Sequence, residues 1–381
     1  MTFRKSWKEY VRILEELIKI DTRNPPGNTS KAVEFIESIF SSYETKVYEA
    51  DEGKENLVVR IGKGKKTIMF NTHLDTVPSK DVFLNPVVVD GKVYGRGSCD
   101  AKGCAVSLIY AFDDFEPENV KVKLSFTADE EVGGKLGLDY VLEKERADYV
   151  IVSEPFGSDS IGVAQAKVFL LDIVVRGISG HTASADVKKG AIYKASKLIC
   201  EVVEFFETIN EDKKKDLERL LDTRVEIRGK GFAAFNPAII SGGVKTNVVA
   251  DRCEIRADVR LMPWIDETEV FSKIVRDDVE FVVQGVLKPY GISFDEVSIE
   301  EDLKLFNWVK RAIQKAGIYP KATVSLGVGD IRHARKRGIP ALYLGPKGEN
   351  LHSDDEFVYI DEIFRCAEIY REVVRIISSE I

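Results

Sequence analysis

Trp7, Tyr10, Val11, Leu14, Leu17 and Ile18 are spaced by three and four, which predicts an amphipathic helix stopped by the Asn24-Pro25-Pro26-Gly27 loop. Ser30 reads as the N-cap of a second helix reaching Phe40. Apolar runs at 46–49, 57–61 and 67–70 predict strands. A helix over 103–112, a strand over 120–126, a helix over 136–143 and a strand over 149–152 continue the pattern. Such alternation predicts an α/β layer architecture.

From about Lys167 the periodicity changes. A strand at 168–175, a long helix at 191–207, two strands joined near 247–251, a helix at 267–275 and a strand at 279–286 give the order βαββαβ. That is the ferredoxin-like split motif, with helices on one face of an antiparallel sheet. After Ile299 the α/β alternation resumes: a helix at 303–315, a strand at 322–326, a helix at 331–336, a strand at 341–344 and a last helix at 361–376. A chain of 381 residues exceeds what one core usually supports. We therefore expect residues 1–165 and 299–381 to form one domain, interrupted by an inserted domain over 166–298. The charged stretch 210–219 reads as the solvated end of a helix.

Composition narrows the function classes. Lys plus Arg is 55 against 63 for Asp plus Glu, a net charge of -8, which argues against a nucleic-acid or anionic-membrane surface. Apolar runs such as 105–112 are too short to span a bilayer, and the basic start (Arg4, Lys5, Lys8) lacks an apolar signal core. A cytoplasmic location is expected. The five cysteines include no Cys-X-X-Cys pair and imply neither a disulfide framework nor a thiolate zinc site. Glutamine occurs only three times while Lys and Glu abound, a thermophile bias.

Polar residues then stand out at strand ends. His73 and Asp75 close the run that begins at 67, two residues apart and so on one face of an extended chain. Asp100 sits in a glycine-rich turn, 95–103, where by itself it also reads as a helix cap. Glu130 and Glu131 follow one strand, Glu154 the next, and His352 the strand at 341–344. Each acid alone reads equally as a solvated loop residue. Together they occupy the carboxyl ends of strands, where open α/β sheets form their sites.

With these motifs the chain resembles the dinuclear zinc amidohydrolases and exopeptidases, the group of acetylornithine deacetylase, succinyl-diaminopimelate desuccinylase, aminoacylase and glutamate carboxypeptidase. The likeness extends to Gly180-His181-Thr182-Ala183, Gly242-Gly243 with Asn247, and the acids after His352. It implies a zinc-exopeptidase-like catalytic domain with the insert as a dimerisation and lid domain. It further implies two zinc ions, with cobalt or manganese as substitutes: one held by His73 and Glu154, a second by Glu131 and His352, and Asp100 bridging them. Glu130 would be the general base. Asp75 would bond the far ring nitrogen of His73 and fix its tautomer. His181 would donate to the oxyanion in the partner subunit of a homodimer, although from the sequence alone it reads as a surface residue. Asn247 and Arg260 would grip a substrate carboxylate, and the 327–330 segment, with Gly327 and Asp330, would form a substrate loop.

Three departures bear on pocket shape and not on the ligands. Ala101 stands where methionine is usual, Cys104 where glycine is common, and no Thr-Ser pair precedes Asp330. The implied reaction is hydrolysis of the amide of an N-acyl amino acid, of the deacetylase or desuccinylase type. A dipeptidase or carboxypeptidase, or a hydrolase that frees an amino acid from a carrier protein, is the alternative. A catalytically silent dimeric binding module is a remoter one.

Overall fold

In a computed structural model, which describes residues 6–209, 212–229, 231–287 and 299–380, the first helix runs Trp7–Lys19. A capping box between Ser6 and Glu9 starts it. Its buried stripe is Tyr10, Val11, Leu14, Leu17 and Ile18, whereas Trp7 in the first turn is 53% exposed and leaves the expected stripe. The second helix, Ser30–Ile39, has Thr29 as N-cap in place of Ser30. The Thr29 hydroxyl is committed to the carbonyl of Glu55 at 2.7 Å, tying the helix start to a strand.

The described residues fall into two compact units. One runs up to Val163 and takes in 299–323 and the chain from Gly329; the other runs from Ala164 and includes 324–328. In the first, a mixed sheet has the strand order Glu44–Glu49, Glu55–Ile61, Val120–Thr127, Lys66–His73, Tyr149–Val152, Ala341–Tyr343, Ser160–Gln165. The central strand Lys66–His73 pairs in parallel with Val120–Thr127 and Tyr149–Val152, and the latter in parallel with Ala341–Tyr343.

Both faces of this sheet are covered, which is why its strands read as unbroken apolar runs. Met69 packs on one side with Leu138, Val141, Ile331 and Ala334. Phe70 points the other way, its ring 5.0 Å from that of Phe112 and 5.3 Å from that of Tyr370. Phe112 ends the helix Lys102–Phe112, which is buried along nearly its whole length, as a helix apolar all round must be. A small second sheet, Gly348–Glu349, Phe357–Tyr359, Lys92–Tyr94 and Val87–Val89, was not legible from the pattern because its strands are only two or three residues long.

The second unit carries an antiparallel sheet in the order Ala233–Gly242, Arg252–Leu261, Lys167–Arg176, Val279–Leu287. Phe169, Leu171, Ile173 and Val175 face the helices Ala191–Thr208 and Glu267–Ser272, while Leu170 on the other face is 50% exposed. The stretch expected to be the solvated end of a helix is instead a separate helix, Asp212–Leu221, which buries Leu217 and Leu221. Two apolar side chains four apart outweigh the charges around them. Residues 210–211 of that stretch lie outside the described residues. Among the described residues, no helix is long and apolar enough to cross a membrane.

Candidate metal centre

The parallel register brings the polar strand ends together. His73 lies opposite Thr127, and Asn71 opposite Val152, so Glu130, Glu131 and Glu154 leave the sheet at the edge where His73 ends. Backbone bonds from Leu74 N to Thr127 O (2.7 Å) and Ser153 N to Asn71 O (2.6 Å) carry the pairing past the strands. Asp100 arrives from the glycine turn. The helix there starts at Lys102 with Ala101 as its N-cap, so Asp100 does not cap it. Gly103 permits the approach, since a Cβ there would lie 2.3 Å from the carbonyl oxygen of Ser98.

Asp100 divides its carboxylate between two histidines. Oδ1 is 3.0 Å from Nε2 of His73, and Oδ2 is 3.1 Å from Nε2 of His352. Glu154 Oε1 lies 3.5 Å from the first imidazole nitrogen and Glu131 Oε2 3.4 Å from the second. The result is two clusters, each of one imidazole and one glutamate, sharing one aspartate. Ligand atoms of His73, Asp100 and Glu131 all lie within 4.8 Å of one another.

The residues fit a pair of divalent cations. Glu154 Oε1 is buried and has no hydrogen-bond partner, an arrangement that costs free energy unless something positive faces it. Both histidines are drawn toward the charged form. Burial opposes protonation of His73, but Glu154, Asp100 and Asp75 outweigh it; hydrogen bonds to Asp100 and Glu131 raise His352 to about 10. Glu130 and Glu154 are pushed well above the usual carboxylate range by burial, with neighbouring carboxylates adding to it against the pull of His73. Imidazole and carboxylate donors suit zinc, cobalt and manganese.

Asp75 does not occupy the place expected of it. Nδ1 of His73 bonds the main-chain carbonyl of Asp75 at 2.9 Å, while the carboxylate stands 3.5 Å away, beyond hydrogen-bond range. That carboxylate instead accepts from Glu130 N (3.1 Å), Glu131 N (3.2 Å) and the Asn24 amide (2.9 Å). Burial would raise its pKa, yet His73 and these donors hold it low. The ring tautomer is thus set by the backbone of residue 75, and the carboxylate sets the turn that carries Glu130 and Glu131.

Asn24 escaped the sequence reading because it looked only like a loop residue before two prolines. Lys102 escaped it as well: wholly buried, it donates to Ile20 O at 2.8 Å, and burial pulls it down to about 7. A lysine beginning a helix as apolar as 102–112 was the available signal. Asp330 turns inward, 1% exposed, with Oδ2 accepting from Asn71 at 3.3 Å, and burial raises it to about 6.

The remaining predicted site residues belong to the second unit. His181 is exposed in a two-residue strand, Gly180–His181, paired with Val248–Val249. Its Nδ1 accepts from Ala183 N at 3.2 Å, which leaves Nε2 as the protonated nitrogen of the neutral ring. Asn247 is next to it, its carbonyl accepting from Thr182 N at 3.1 Å. Arg260 holds Asp258 through Nε and Nη2 at 3.0 and 3.2 Å and Leu326 O through Nη1 at 3.1 Å. Two of its five N–H groups remain. Gly327 N bonds the Ser325 hydroxyl at 3.0 Å.

Comparison with known proteins follows this geometry. The sequence model of Peptidase family M20/M25/M40 matches residues 69–376. A LysW-lysine/LysW-ornithine hydrolase from Sulfurisphaera tokodaii is 25% identical over 370 residues, covering 96% of this chain and 94% of the relative. A tripeptidase from Staphylococcus aureus superposes with a TM-score of 0.73 at 20% identity, over 99% of this chain and 100% of that one. The Bacillus subtilis YXEP protein, described as a dinuclear metal binding peptidase, gives 0.64 at 16% identity over 98% and 99%.

Proposed function

The chain belongs to Peptidase family M20/M25/M40 and is a metallohydrolase of that family; from this premise we propose that it uses two zinc ions to release an amino acid from an amide bond to a carrier protein. The observation that carries the proposal is the division of Asp100 between two imidazole–glutamate clusters. The carrier is suggested by the name of the Sulfurisphaera tokodaii relative, a LysW-lysine/LysW-ornithine hydrolase, which puts this reading ahead of a deacylase acting on a free N-acyl amino acid. A cytoplasmic enzyme is consistent with the absence of any disulfide among the described residues.

His73 with Glu154, and His352 with Glu131, would hold one cation each, with Asp100 between them. Such a pair supplies, when bound, Lewis-acid polarisation of the scissile carbonyl and a water of lowered pKa. Glu130 takes a proton at its carboxylate and returns it to the leaving nitrogen. Asp75 keeps Glu130 in place through the Glu130 amide. His181, protonated at Nε2, donates to the carbonyl oxygen as it becomes negative. Asn247 and the two remaining N–H groups of Arg260 receive the free carboxylate of the amino acid.

We place His181 in the site of a second copy, making the enzyme a homodimer. Exposed Ile192, Ile239, Ile240 and Val244 on the second unit support a surface that a partner covers. Mixing inactive Glu130→Gln with inactive His181→Ala should then restore about a quarter of wild-type activity through hybrid dimers. No recovery after dissociation and reassociation would remove the shared site.

For the substrate, metal-reconstituted protein should be assayed on a carrier domain bearing a terminal lysine or ornithine, on N-acetyl and N-succinyl amino acids, and on dipeptides. Highest kcat/KM on the carrier conjugate is expected. Preference for an N-acyl amino acid would install the deacylase instead, and no hydrolysis of any would overturn the enzymatic reading of the site.

A further inference from the structure

Outside the ligand set, one buried ion pair joins two ligands that are 252 residues apart. Arg96 and Glu356 are 3% and 2% exposed. Glu356 Oε1 accepts from the amides of Cys99 and Asp100, each at 3.0 Å, and Oε2 from Arg96 Nη1 at 2.5 Å. Arg96 Nη2 then reaches the main-chain oxygen of His352 at 3.2 Å. The main-chain oxygen of Glu356 closes the arrangement, accepting from Gly95 N at 3.1 Å and from the Ser98 hydroxyl at 3.3 Å.

We propose that Arg96 and Glu356 are positioning residues that fix the distance between the bridging Asp100 and His352, assembling the His352 side of the site before any cation arrives. The inference rests on the two-cation reading above. Three physical points carry it. First, the two Glu356 bonds to consecutive amides hold in place the main chain from which the Asp100 carboxylate reaches both imidazoles. Second, His352 sits at φ 65°, a left-handed conformation that a residue with a Cβ keeps only where its surroundings over-determine it. The hydrogen bond from Arg96 to its carbonyl is such a determinant. Third, a carboxylate buried this close to Asp100 requires a counter-charge, and Arg96 supplies it while spanning to the other loop.

Apart from Asp100, which both cation positions share, the arrangement reaches the His352 side only. His73 takes its orientation from the Asp75 carbonyl, and Glu154 follows the strand Tyr149–Val152; among the described residues neither is hydrogen-bonded to the ion pair. A pair that merely held the fold together would affect both cation positions alike. A positioning pair affects the one that includes His352.

The test is calorimetric titration of metal-stripped protein with zinc, and with cobalt while recording its visible spectrum. Wild type, Glu356→Gln and the double variant Arg96→Met/Glu356→Gln are compared. Glutamine keeps an oxygen for the two amides, and the double variant removes the unpaired buried guanidinium. The expected result for both variants is a first equivalent bound as in wild type and a second weakened about 10- to 100-fold, with the cobalt bands of the second equivalent displaced. The double variant should regain thermal stability relative to Glu356→Gln without regaining the second equivalent. Equal weakening of both equivalents, or recovery of the second together with stability, would show a structural role only and overturn the proposal. If wild type binds no second equivalent, the two-cation reading itself falls, and this inference with it.

Discussion

The main sheets of the two units hide their residues in different ways. In the first unit Leu57, Val58 and Val59 are all buried in succession, as are Val150, Ile151 and Val152, because layers cover both faces. In the second unit the strand Arg252–Leu261 alternates, with Cys253, Ile255, Ala257, Val259 and Leu261 inward and Arg252, Glu254 and Arg256 outward. The difference decides what a polar residue means. Along the buried central strands of the doubly covered sheet a histidine stands where the chain leaves the hydrocarbon, as His73 does at the end of Lys66–His73, and so points to a site. On the half-open sheet polar residues are ordinary, and Arg260 carries no such signal.

The sharpest way to separate chemistry from packing in the first unit is Glu130→Gln. Its kcat should fall about 100- to 10,000-fold while metal uptake, read by elemental analysis, stays at the wild-type level. Undiminished turnover would mean that Glu130 is not the base.

Next in size is a contrast across the two sheets. Phe70→Ala removes a fully buried ring between Phe112 and Tyr370 and should cost about 3–5 kcal/mol in guanidinium unfolding. Leu170→Ala, on the open face, should change stability by less than about 0.5 kcal/mol. A large loss at Leu170 would break the comparison, because that face would then be covered in solution.

The smallest effect concerns His333, whose two buried ring nitrogens make no hydrogen bond among the described residues, with carboxylates of Asp139 and Asp330 at 3.5 and 3.6 Å, and whose pKa burial and Arg332 press down to about 3. Between that value and the ordinary 6.5 the unfolded chain binds the proton that the folded one refuses, so stability falls as pH drops through this window. His333→Leu lacks that loss. It should match wild type closely at pH 8 and exceed it at pH 5 by up to about 2 kcal/mol, measured by unfolding at both values. An equal difference at the two values would show that the ring takes up its proton alike in the folded and the unfolded chain.

Most of the residues gathered around Asp100 were legible in the chain because they follow strands that the apolar runs locate, as with His73 after 67–70 and Glu154 after 149–152. What supports them was not. Glu356 looked like one acid among several after His352, and Arg96 like any basic residue between glycines; only folding brings them to 2.5 Å. Asp75 was located correctly at the strand tip but its bonds were not, since which oxygen meets the His73 ring depends on how the main chain turns after residue 73. The helix Asp212–Leu221 was hidden for a different reason, its apolar content being two leucines among charges.

That same aspartate has an evolutionary consequence. Through one side chain it is answerable to Glu130, to Glu131 and to the loop that bears Asn24, and through its carbonyl to His73. A replacement there would be read at four places at once, so no single second-site change could restore them all. Such a position is expected to drift least in any lineage that keeps the activity, whereas Arg260, whose partners are Asp258 and one carbonyl, can exchange roles with its neighbours as substrates change.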